Sequence, residues 1–307
     1  MLRHVLAQSK MDARGYLHDE NQYSAIASHL LARGRLEEGR NGRVRADSGA
    51  AMHFSLDGGV MPIFTTKRVA WRSCLRELLW FVRGSTDAVA LSESGSSIWD
   101  GNGSREFLDS QGLTGNREGD LGPVYGHQWR HFNAPYAGAD SDYTGKGVDQ
   151  LQSVVDALKD PERRTSRRIV MSAWNPAQIN EMALPPCHLL AQFHVSEGKK
   201  LSCSLYQRSA DMALGVPFNV ASYAFLTHML ASHCSLEAHE LVHHLGHCHV
   251  YEGHERGLEH QLKRSPRPFP RIRITERGQS RIEDYTENDF VIEGYNPHPR
   301  IQFQFRA

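Results

Sequence analysis

The chain has 307 residues, 35 Lys and Arg balance 35 Asp and Glu, and 40% of the residues are hydrophobic. This composition predicts a globular protein with enough chain for a buried core. Zero formal net charge argues against a generally basic nucleic-acid binder. The sequence has no run of eighteen apolar residues that would predict a transmembrane helix, and its first fifteen residues lack the apolar core of a secretory signal. We therefore expect a cytoplasmic protein.

The cysteine pattern favours a reducing compartment. The five cysteines are an odd number, widely scattered, and no two form a C-x-x-C pair. They therefore predict neither a disulfide framework nor a zinc or thioredoxin-like site. The residues are Cys74, Cys187, Cys203, Cys234 and Cys248.

The first third of the chain predicts a tail, a helix, a loop and a second helix. Residues 1–19 are polar and mixed, which predicts a flexible tail before one domain over 20–307. Apolar positions at helical spacing predict a helix over 23–31 that ends at Gly34. The basic, apolar-poor stretch 35–45 predicts an exposed loop, and a strongly apolar helix is predicted over 70–83.

The remainder predicts an α/β fold class in a single domain. Residues 100–147 are rich in Gly, Asp and Ser with weak periodicity, which predicts a long loop of the kind that usually carries function. Helices are expected over 150–158 and 218–233. Strands are expected over 169–174, 190–195, 201–206, 245–251, 272–274 and 301–305. No repeat or low-complexity linker divides the chain.

Cys187 is the candidate nucleophile. It follows Pro185 and Pro186, which fix the backbone before it, and lies between two predicted strands. A thiol titrates near ~8.5 and needs a positive charge or a base nearby to become a thiolate at neutral pH. Arg208 is the better activator, because His188 would point the other way on a strand. The alternative is a buried inert cysteine, and we interpret the other four cysteines in that way.

Several arginines stand at the ends of predicted elements, where a phosphate group is often held. Arg40 and Arg43 lie in a Gly-containing loop, Arg167 and Arg168 precede a strand, and Arg208 is followed by Ser209. Solvated surface arginines are the alternative. The chain has neither a P-loop nor a G-x-G-x-x-G fingerprint, which argues against nucleoside triphosphates and dinucleotides.

A histidine-rich segment matches H-E-x-x-H at 239–243. That zinc motif requires a helix, whereas the alternation in 245–251 predicts a strand, so we expect no metal. On that strand His247, His249 and Tyr251 would share a face, and a His with a Tyr suits a sugar hydroxyl.

Glu77 stands inside an otherwise apolar helix. A buried carboxylate is costly without a partner and is often functional, and an exposed position is the alternative.

Several short motifs are spread along the sequence: TTKR at 65–68, ELLWF at 77–81, IWD at 98–100, GDLGPVYG at 119–126, QWR at 128–130, AWNP at 173–176, LPPCH at 184–188, YQRS at 206–209, PFN at 217–219 and EGYNPHP at 293–299. Together these motifs resemble the folate-dependent thymidylate synthases, from about residue 20 to the C-terminus. The resemblance implies a three-layer α/β (α+β) domain with a mixed, twisted sheet, and a homodimer that packs sheet against sheet.

The implied reaction is reductive methylation of dUMP to dTMP, with 5,10-methylenetetrahydrofolate as the donor of carbon and hydride and dihydrofolate as the second product. Cys187 would attack C6 of uracil and make C5 a carbon nucleophile. Arg208 would stabilise the thiolate, and Asn219 would distinguish uracil from cytosine through its amide. The implied catalytic residues are Cys187, Glu77, Arg208, Tyr125, His188, Asn219 and Asp211.

The resemblance also implies the two binding sets. The residues for dUMP would be Arg40, Gln207, Arg208, Ser209, Asp211, Asn219, His249 and Tyr251, with Arg167 and Arg168 from the partner subunit. The residues for folate would be Lys67, Ile98, Trp99, Asn102, Asp211, Gly215 and Phe218. No metal is implied.

Two departures from the family pattern stand out. Residues 43–49 predict a poor strand where the family has a short apolar one, which leaves Arg40, Arg43 or Arg45 as the loop ligand of the phosphate. His247 stands where the family usually has Asp. The alternative functions are a pyrimidine deoxynucleotide hydroxymethylase of the same fold, an inactive nucleotide- or RNA-binding relative, and a zinc protein.

Overall fold

The computed structural model describes residues 18–39, 41–275 and 280–304. Six strands of these residues form one twisted, mixed sheet in the order β1-β2-β6-β5-β4-β3. The strands are β1 Arg35–Gly39, β2 Gly42–Ser55, β3 Val170–Ser172, β4 His188–Ser196, β5 Lys200–Asp211 and β6 Glu237–Tyr251. β5 and β6 are parallel, and the other neighbours are antiparallel.

The strands expected in the middle of the chain are confirmed, but the exposed loop over 35–45 is wrong. This stretch forms the β1–β2 hairpin, and its turn uses Gly42 at a φ of 105°. Val44 and Ala46 are buried and pair with Tyr251 and His249 of β6. Alternate burial against a central strand therefore outweighs the low apolar content of the stretch.

Nine α-helices lie in the described ranges, and one of them fills the core. They are α1 Glu20–Arg33, α2 Trp71–Val82, α3 Ala88–Glu93, α4 Asp100–Gly103, α5 Arg105–Ser110, α6 Tyr125–His131, α7 Gln150–Lys159, α8 Gly215–His233 and α9 Glu255–Leu262. α8 is apolar on every side and packs between the sheet and α2, which gives a layered order of sheet, α8 and α2. None of the helices in these ranges is both long enough and apolar enough to cross a membrane.

The helices expected over 23–31, 70–83, 150–158 and 218–233 are confirmed, with ends shifted by a few residues. The long loop over 100–147 is wrong in part, because it contains α4, α5 and α6. These helices have four to seven residues, too few for a periodic pattern. Ser104 begins α5 by accepting a hydrogen bond from the Phe107 N–H at 3.2 Å.

The last strand of the chain lies earlier than the sequence predicts. The expected strand at 272–274 is confirmed as β7 Arg271–Ile274, and its partner is β8 Phe290–Glu293. Residues 301–304 are irregular, and Phe305 lies outside the described residues. The Phe303 ring packs against Gly257, where an added Cβ would approach a ring carbon to 2.5 Å.

A buried carboxylate fixes the start of α1 to the segment before α2. Both oxygens of Glu20 accept hydrogen bonds from the N–H and hydroxyl groups of Thr65 and Thr66, at 2.6 to 2.8 Å. Four donors thus replace the water that the charged group loses on burial. The predicted tail over 1–19 lies outside the described residues except for His18 and Asp19.

We predict that Glu20→Ala lowers the free energy of unfolding by about 3 kcal/mol, because it leaves buried donors of Thr65 and Thr66 without an acceptor. Urea unfolding measures this loss, and Glu106→Ala, at an exposed position of α5, is the matched control. Equal stability of the two variants would contradict the prediction.

Candidate active site

Cys187 is partly exposed at the start of β4 and is held on both sides through its backbone. Its N–H donates to the Tyr125 hydroxyl at 2.7 Å, and its carbonyl accepts from the Arg208 N–H at 2.8 Å. The other four cysteines are buried, and burial raises the pKa of Cys203, Cys234 and Cys248 to about 12. Cys187 is therefore the thiol that a substrate reaches most readily.

Arg208 supplies the positive charge beside residues 184–187, the segment before β4 that we call the Cys187 loop. Its Nε donates to the Pro186 carbonyl at 2.9 Å and its Nη2 to the Pro185 carbonyl at 3.0 Å. The guanidinium carbon lies 5.5 Å from the centre of the Trp174 ring. The two prolines thus present carbonyl groups that fix this cation next to the nucleophile.

Glu77 is buried in α2, which excludes the exposed position that the sequence left as the alternative. The Trp99 indole N–H donates to Glu77 Oε1 at 2.7 Å. Burial raises the pKa of Glu77 to about 8, and the bond from Trp99 lowers it only in part. The carboxyl group is therefore protonated at neutral pH and is able to donate as well as accept.

The rings of His188 and Tyr125 stack on each other next to the Cys187 loop. Their ring centres are 4.2 Å apart, and His188 Nδ1 lies 3.0 Å from the Tyr223 hydroxyl. Burial lowers the pKa of His188 to about 3, so this imidazole is neutral. The sequence analysis did not identify Tyr223, because nothing in the apolar pattern of α8 distinguishes this residue from its buried neighbours.

Gln207 on β5 joins Asn219 on α8 to a buried histidine on β6. Gln207 Nε2 lies 3.0 Å from Asn219 Oδ1 and 2.8 Å from the Ser209 carbonyl. Gln207 Oε1 lies 2.8 Å from His243 Nε2. Sequence reasoning treated His243 only as part of H-E-x-x-H, although its alternation with buried Leu241 and Leu245 marks it as facing the core.

The far end of β6 carries the polar residues expected to share a face. His249 is nearly buried, its ring centre lies 5.0 Å from that of Tyr251, and its Nδ1 lies 3.2 Å from His247 Nδ1. His247 Nε2 reaches Glu37 Oε2 on β1 at 2.9 Å. Glu37 was missed because its segment was interpreted as a loop.

Asp211 ends β5 and organises the turn into α8. Its carboxylate accepts from the N–H groups of Ala213 and Leu214 at 2.9 and 3.3 Å. Gly215 follows at the start of α8, and an added Cβ there would lie 3.6 Å from Asn219 Oδ1. This turn therefore brings Asp211 and Asn219 to the same end of the helix.

The residues expected to meet folate differ in exposure. Lys67 is buried, donates to the Ala213 carbonyl and lies 4.6 Å from the centre of the Phe303 ring, and burial lowers its pKa to about 8. Asn102 is buried, and its Nδ2 has no hydrogen-bond partner among the described residues. Ile98 and Phe218 are partly buried against the core. An unpaired buried amide donor fits a polar ligand group.

Arg167 and Arg168 lie apart from this cluster. They are exposed and precede β3, which pairs Val170 with Gln192 of β4. This antiparallel register directs them toward the end of β4 opposite to Cys187, about 20 Å away at roughly 3.3 Å per residue. They therefore do not reach the Cys187 site of the same chain.

The arginines of the β1–β2 hairpin are placed differently. Arg40 lies outside the described residues. Arg43 pairs with Glu38 at 2.9 Å, and Arg45 lies 3.7 Å from Glu255.

The H-E-x-x-H segment lies on a strand, as expected, because residues 239–243 belong to β6. Within the described ranges, no three His, Cys, Asp or Glu side chains are grouped so that they could hold a metal ion.

Comparison with known proteins gives one family. The model of the family described as thymidylate synthase matches residues 21–307. The chain is 52% identical over 289 residues to the thymidylate synthase of Homo sapiens, covering 94% of this chain and 90% of the human one. It is 51% identical over 292 residues to that of Agaricus bisporus, covering 93% and 98% of the two chains.

A bifunctional dihydrofolate reductase-thymidylate synthase of Zea mays is 49% identical over 289 residues, which cover 94% of this chain and 54% of the maize protein. The family model covers the described site from residue 21 through the Cys187 loop to the C-terminal segment. The chain belongs to the thymidylate synthase family.

Proposed function

We propose that this enzyme, a methyltransferase, converts dUMP to dTMP with Cys187 as its nucleophile. The observation that carries the proposal is the Cys187 loop, which is held between Arg208 and the Tyr125 hydroxyl and is the partly exposed thiol of the chain. Family membership supplies the reaction, and 5,10-methylenetetrahydrofolate supplies its carbon and hydride when bound.

Covalent catalysis starts with the Cys187 thiolate. The cation of Arg208 stabilises the negative sulfur, which adds to C6 of uracil and makes C5 a nucleophile. After C5 has bonded to the folate methylene carbon, loss of the C5 proton expels tetrahydrofolate and leaves an exocyclic methylene group. Hydride from tetrahydrofolate then adds to that group, and the electrons that shift restore the C5–C6 double bond and expel the Cys187 sulfur. Arg208 does not need to move, because the Pro185 and Pro186 carbonyls already hold its guanidinium group.

Glu77 handles protons at the O4 and C5 end of the uracil ring. A carboxyl group with a pKa of about 8 gives and takes a proton near neutral pH, as general acid–base catalysis requires. Neutral His188 and Tyr125, stacked between Glu77 and the Cys187 loop, order the intervening water.

Asn219 recognises the base, and residues at the end of β6 bind the sugar. The amide of Asn219 accepts from uracil N3–H and donates to O4, a pattern that cytosine does not offer. His249 and Tyr251 hold the ribose hydroxyl, and Asp211 and Gln207 support the edge of the site between them.

The phosphate requires cations from two subunits. Arg208, Ser209 and Arg40, with Arg43 and Arg45 as substitutes for Arg40, lie in one subunit, and Arg167 and Arg168 come from the partner. The distance of these last two from their own Cys187 supports this assignment. The sheet face away from α8 supports a sheet-against-sheet homodimer, because Tyr206 on that face is 44% exposed.

Folate binds over the nucleotide, against Trp99, Asn102, Asp211, Gly215 and Phe218. The unpaired Nδ2 of Asn102 fits a carbonyl or ring nitrogen of the pterin. Ile98 lines the apolar side, and Lys67 binds the glutamate tail once its ammonium group leaves the Ala213 carbonyl.

The reaction is tested by incubating the protein with dUMP and methylenetetrahydrofolate. We expect dihydrofolate, followed by absorbance, and dTMP, identified by mass, in equal amounts. Hydroxymethyl-dUMP with tetrahydrofolate would instead identify a hydroxymethylase. Binding of dUMP with no product would favour an inactive relative.

Cys187→Ala should abolish turnover while the Kd for dUMP stays within about tenfold, because the phosphate contacts carry much of the affinity. Calorimetry measures the binding. Cys234→Ala, which removes a buried thiol at the end of α8, is the matched control and should keep its turnover. Substantial activity in Cys187→Ala would refute the nucleophile assignment.

Glu77 should make the ligand-free protein less stable as pH rises. Its folded pKa of about 8 exceeds the ordinary 4.5, so between these values the folded state holds a proton that the unfolded state has lost. Stability therefore falls by up to about 1.4 kcal/mol per pH unit in this window. Glu77→Gln should lack the loss, and its advantage over the parent should grow from pH 5 to 8 in urea unfolding.

The matched control for Glu77→Gln is Glu162→Gln, which makes the same substitution at an exposed position. A Glu77→Gln difference that stays constant over the same range would show that Glu77 titrates normally.

Two inactive variants should restore activity when their subunits are exchanged. Cys187→Ala keeps Arg167 and Arg168, whereas Arg167→Glu with Arg168→Glu keeps the nucleophile. A mixed dimer has one complete site, so random exchange should return about a quarter of the normal sites. Turnover that stays at the level of the separate variants would contradict the crossing arginines.

A further inference from the structure

His243 is a buried polar residue that the proposed chemistry does not use. Its side chain has no exposed surface, it lies in the middle of β6, and its Nε2 is 2.8 Å from Gln207 Oε1. Burial lowers its pKa to about 3, so the ring is neutral and carries a single N–H. That N–H is the donor that His243 is able to offer to Gln207 Oε1.

The backbone shows which way the amide of Gln207 faces. The Ser209 carbonyl, 2.8 Å from Gln207 Nε2, only accepts hydrogen bonds, so the NH₂ group of Gln207 must face it. Gln207 Oε1 then faces His243, whose Nε2 must carry the proton. The remaining nitrogen, Nδ1, has no hydrogen-bond partner among the described residues, which agrees with this tautomer.

The same orientation is passed on to Asn219. The NH₂ group of Gln207 also lies 3.0 Å from Asn219 Oδ1, so the Asn219 oxygen must face Gln207 and its Nδ2 must lie on the other side. If the Asn219 amide turned over, two NH₂ groups would meet in a buried place. His243, Gln207 and Asn219 therefore form a chain with one direction of donation.

This direction matters because an asparagine amide is able to read either pyrimidine. In one orientation it accepts from N3–H and donates to O4 of uracil. Turned over, it accepts from the N4 amino group and donates to N3 of cytosine. An amide that rotates without cost would accept both bases, whereas a locked amide accepts one.

We propose that His243 is a specificity-positioning residue, which acts through Gln207 to lock Asn219 in the orientation that reads uracil and rejects cytosine. The inference rests on the proposed function, since it assumes that Asn219 contacts the base.

The test measures the Kd of dUMP and of dCMP by calorimetry in His243→Phe, which keeps a buried ring and removes the donor. The ratio of the dCMP Kd to the dUMP Kd should fall about tenfold, because Gln207 Oε1 then lacks a donor and only the Ser209 carbonyl opposes the turned-over arrangement of Gln207 and Asn219. His243→Gln, which retains an N–H donor, should recover most of the ratio. A merely structural role would weaken both nucleotides equally and leave the ratio unchanged, which would overturn the proposal.

The matched control is His228→Phe. His228 is also buried, burial lowers its pKa to about 4, and its Nε2 lies 2.9 Å from the Val60 carbonyl, away from the base. This variant should keep the normal ratio.

Asn219→Asp distinguishes failure of the proposed contact between Asn219 and the base from failure of the proposed role of His243. If this variant leaves the ratio unchanged, the assignment of Asn219 to the base is wrong. If it changes the ratio and His243→Phe does not, only the role of His243 is wrong.

A second measurement uses the unmodified protein and does not depend on the folding of a variant. Nitrogen-15 NMR of the imidazole should show the proton of His243 on Nε2. A proton on Nδ1 would overturn the proposal, because Gln207 would then lack a donor at its oxygen.

Discussion

Parallel pairing of β5 with β6 determines which side chains can meet in this enzyme. The register places Ser209 beside His247 and Asp211 beside His249, and it brings Gln207 within reach of His243. Parallel strands run in the same direction, so the polar ends of both strands lie at one end of the sheet. α8 starts directly after β5 and returns Asn219 to that end. Without this register, the residues that we propose surround the nucleotide would be spread along the sheet.

Neutral groups predominate around the reactive thiol. Glu77 is protonated near neutral pH, and His188 and His243 carry no charge, in each case because burial disfavours the ionised form. Arg208 is the cation next to the Cys187 loop. Because these buried neighbours are neutral, the guanidinium group of Arg208 is the charge among them that acts on the sulfur. Burial thus serves both the packing of the core and the electrostatics of the site.

Sequence patterns predicted the long elements better than the short or irregular ones. α2 and α8 have apolar patterns that are strong over three or more turns, and the Pro185–Pro186 pair marked the Cys187 loop. The β1–β2 hairpin was missed because β2 is stabilised by pairing with β6 and β1 by pairing with β2, and the local composition does not reveal this pairing. The short helices between 100 and 131 were missed for a similar reason, since caps and tertiary packing hold them.

Partnerships between distant residues were the hardest part of the site to foresee. Glu37 with His247, Tyr223 with His188 and His243 with Gln207 each join two elements whose contact depends on the final fold. The sequence contains all of these side chains, but polarity alone does not say which atom faces which. Resemblance to a family supplied roles for the residues that lie in motifs, and these three pairs each include a residue outside them.

The packing of Phe303 on Gly257 has a consequence for a charge far earlier in the chain. A glycine at this position lets the aromatic ring approach the backbone of α9, and the Lys67 ammonium group lies 4.6 Å from the centre of the same ring. A single methyl group at position 257 would lift the ring and admit water to Lys67. The hydration of Lys67 therefore depends on the absence of a side chain at Gly257, 190 residues later in the chain.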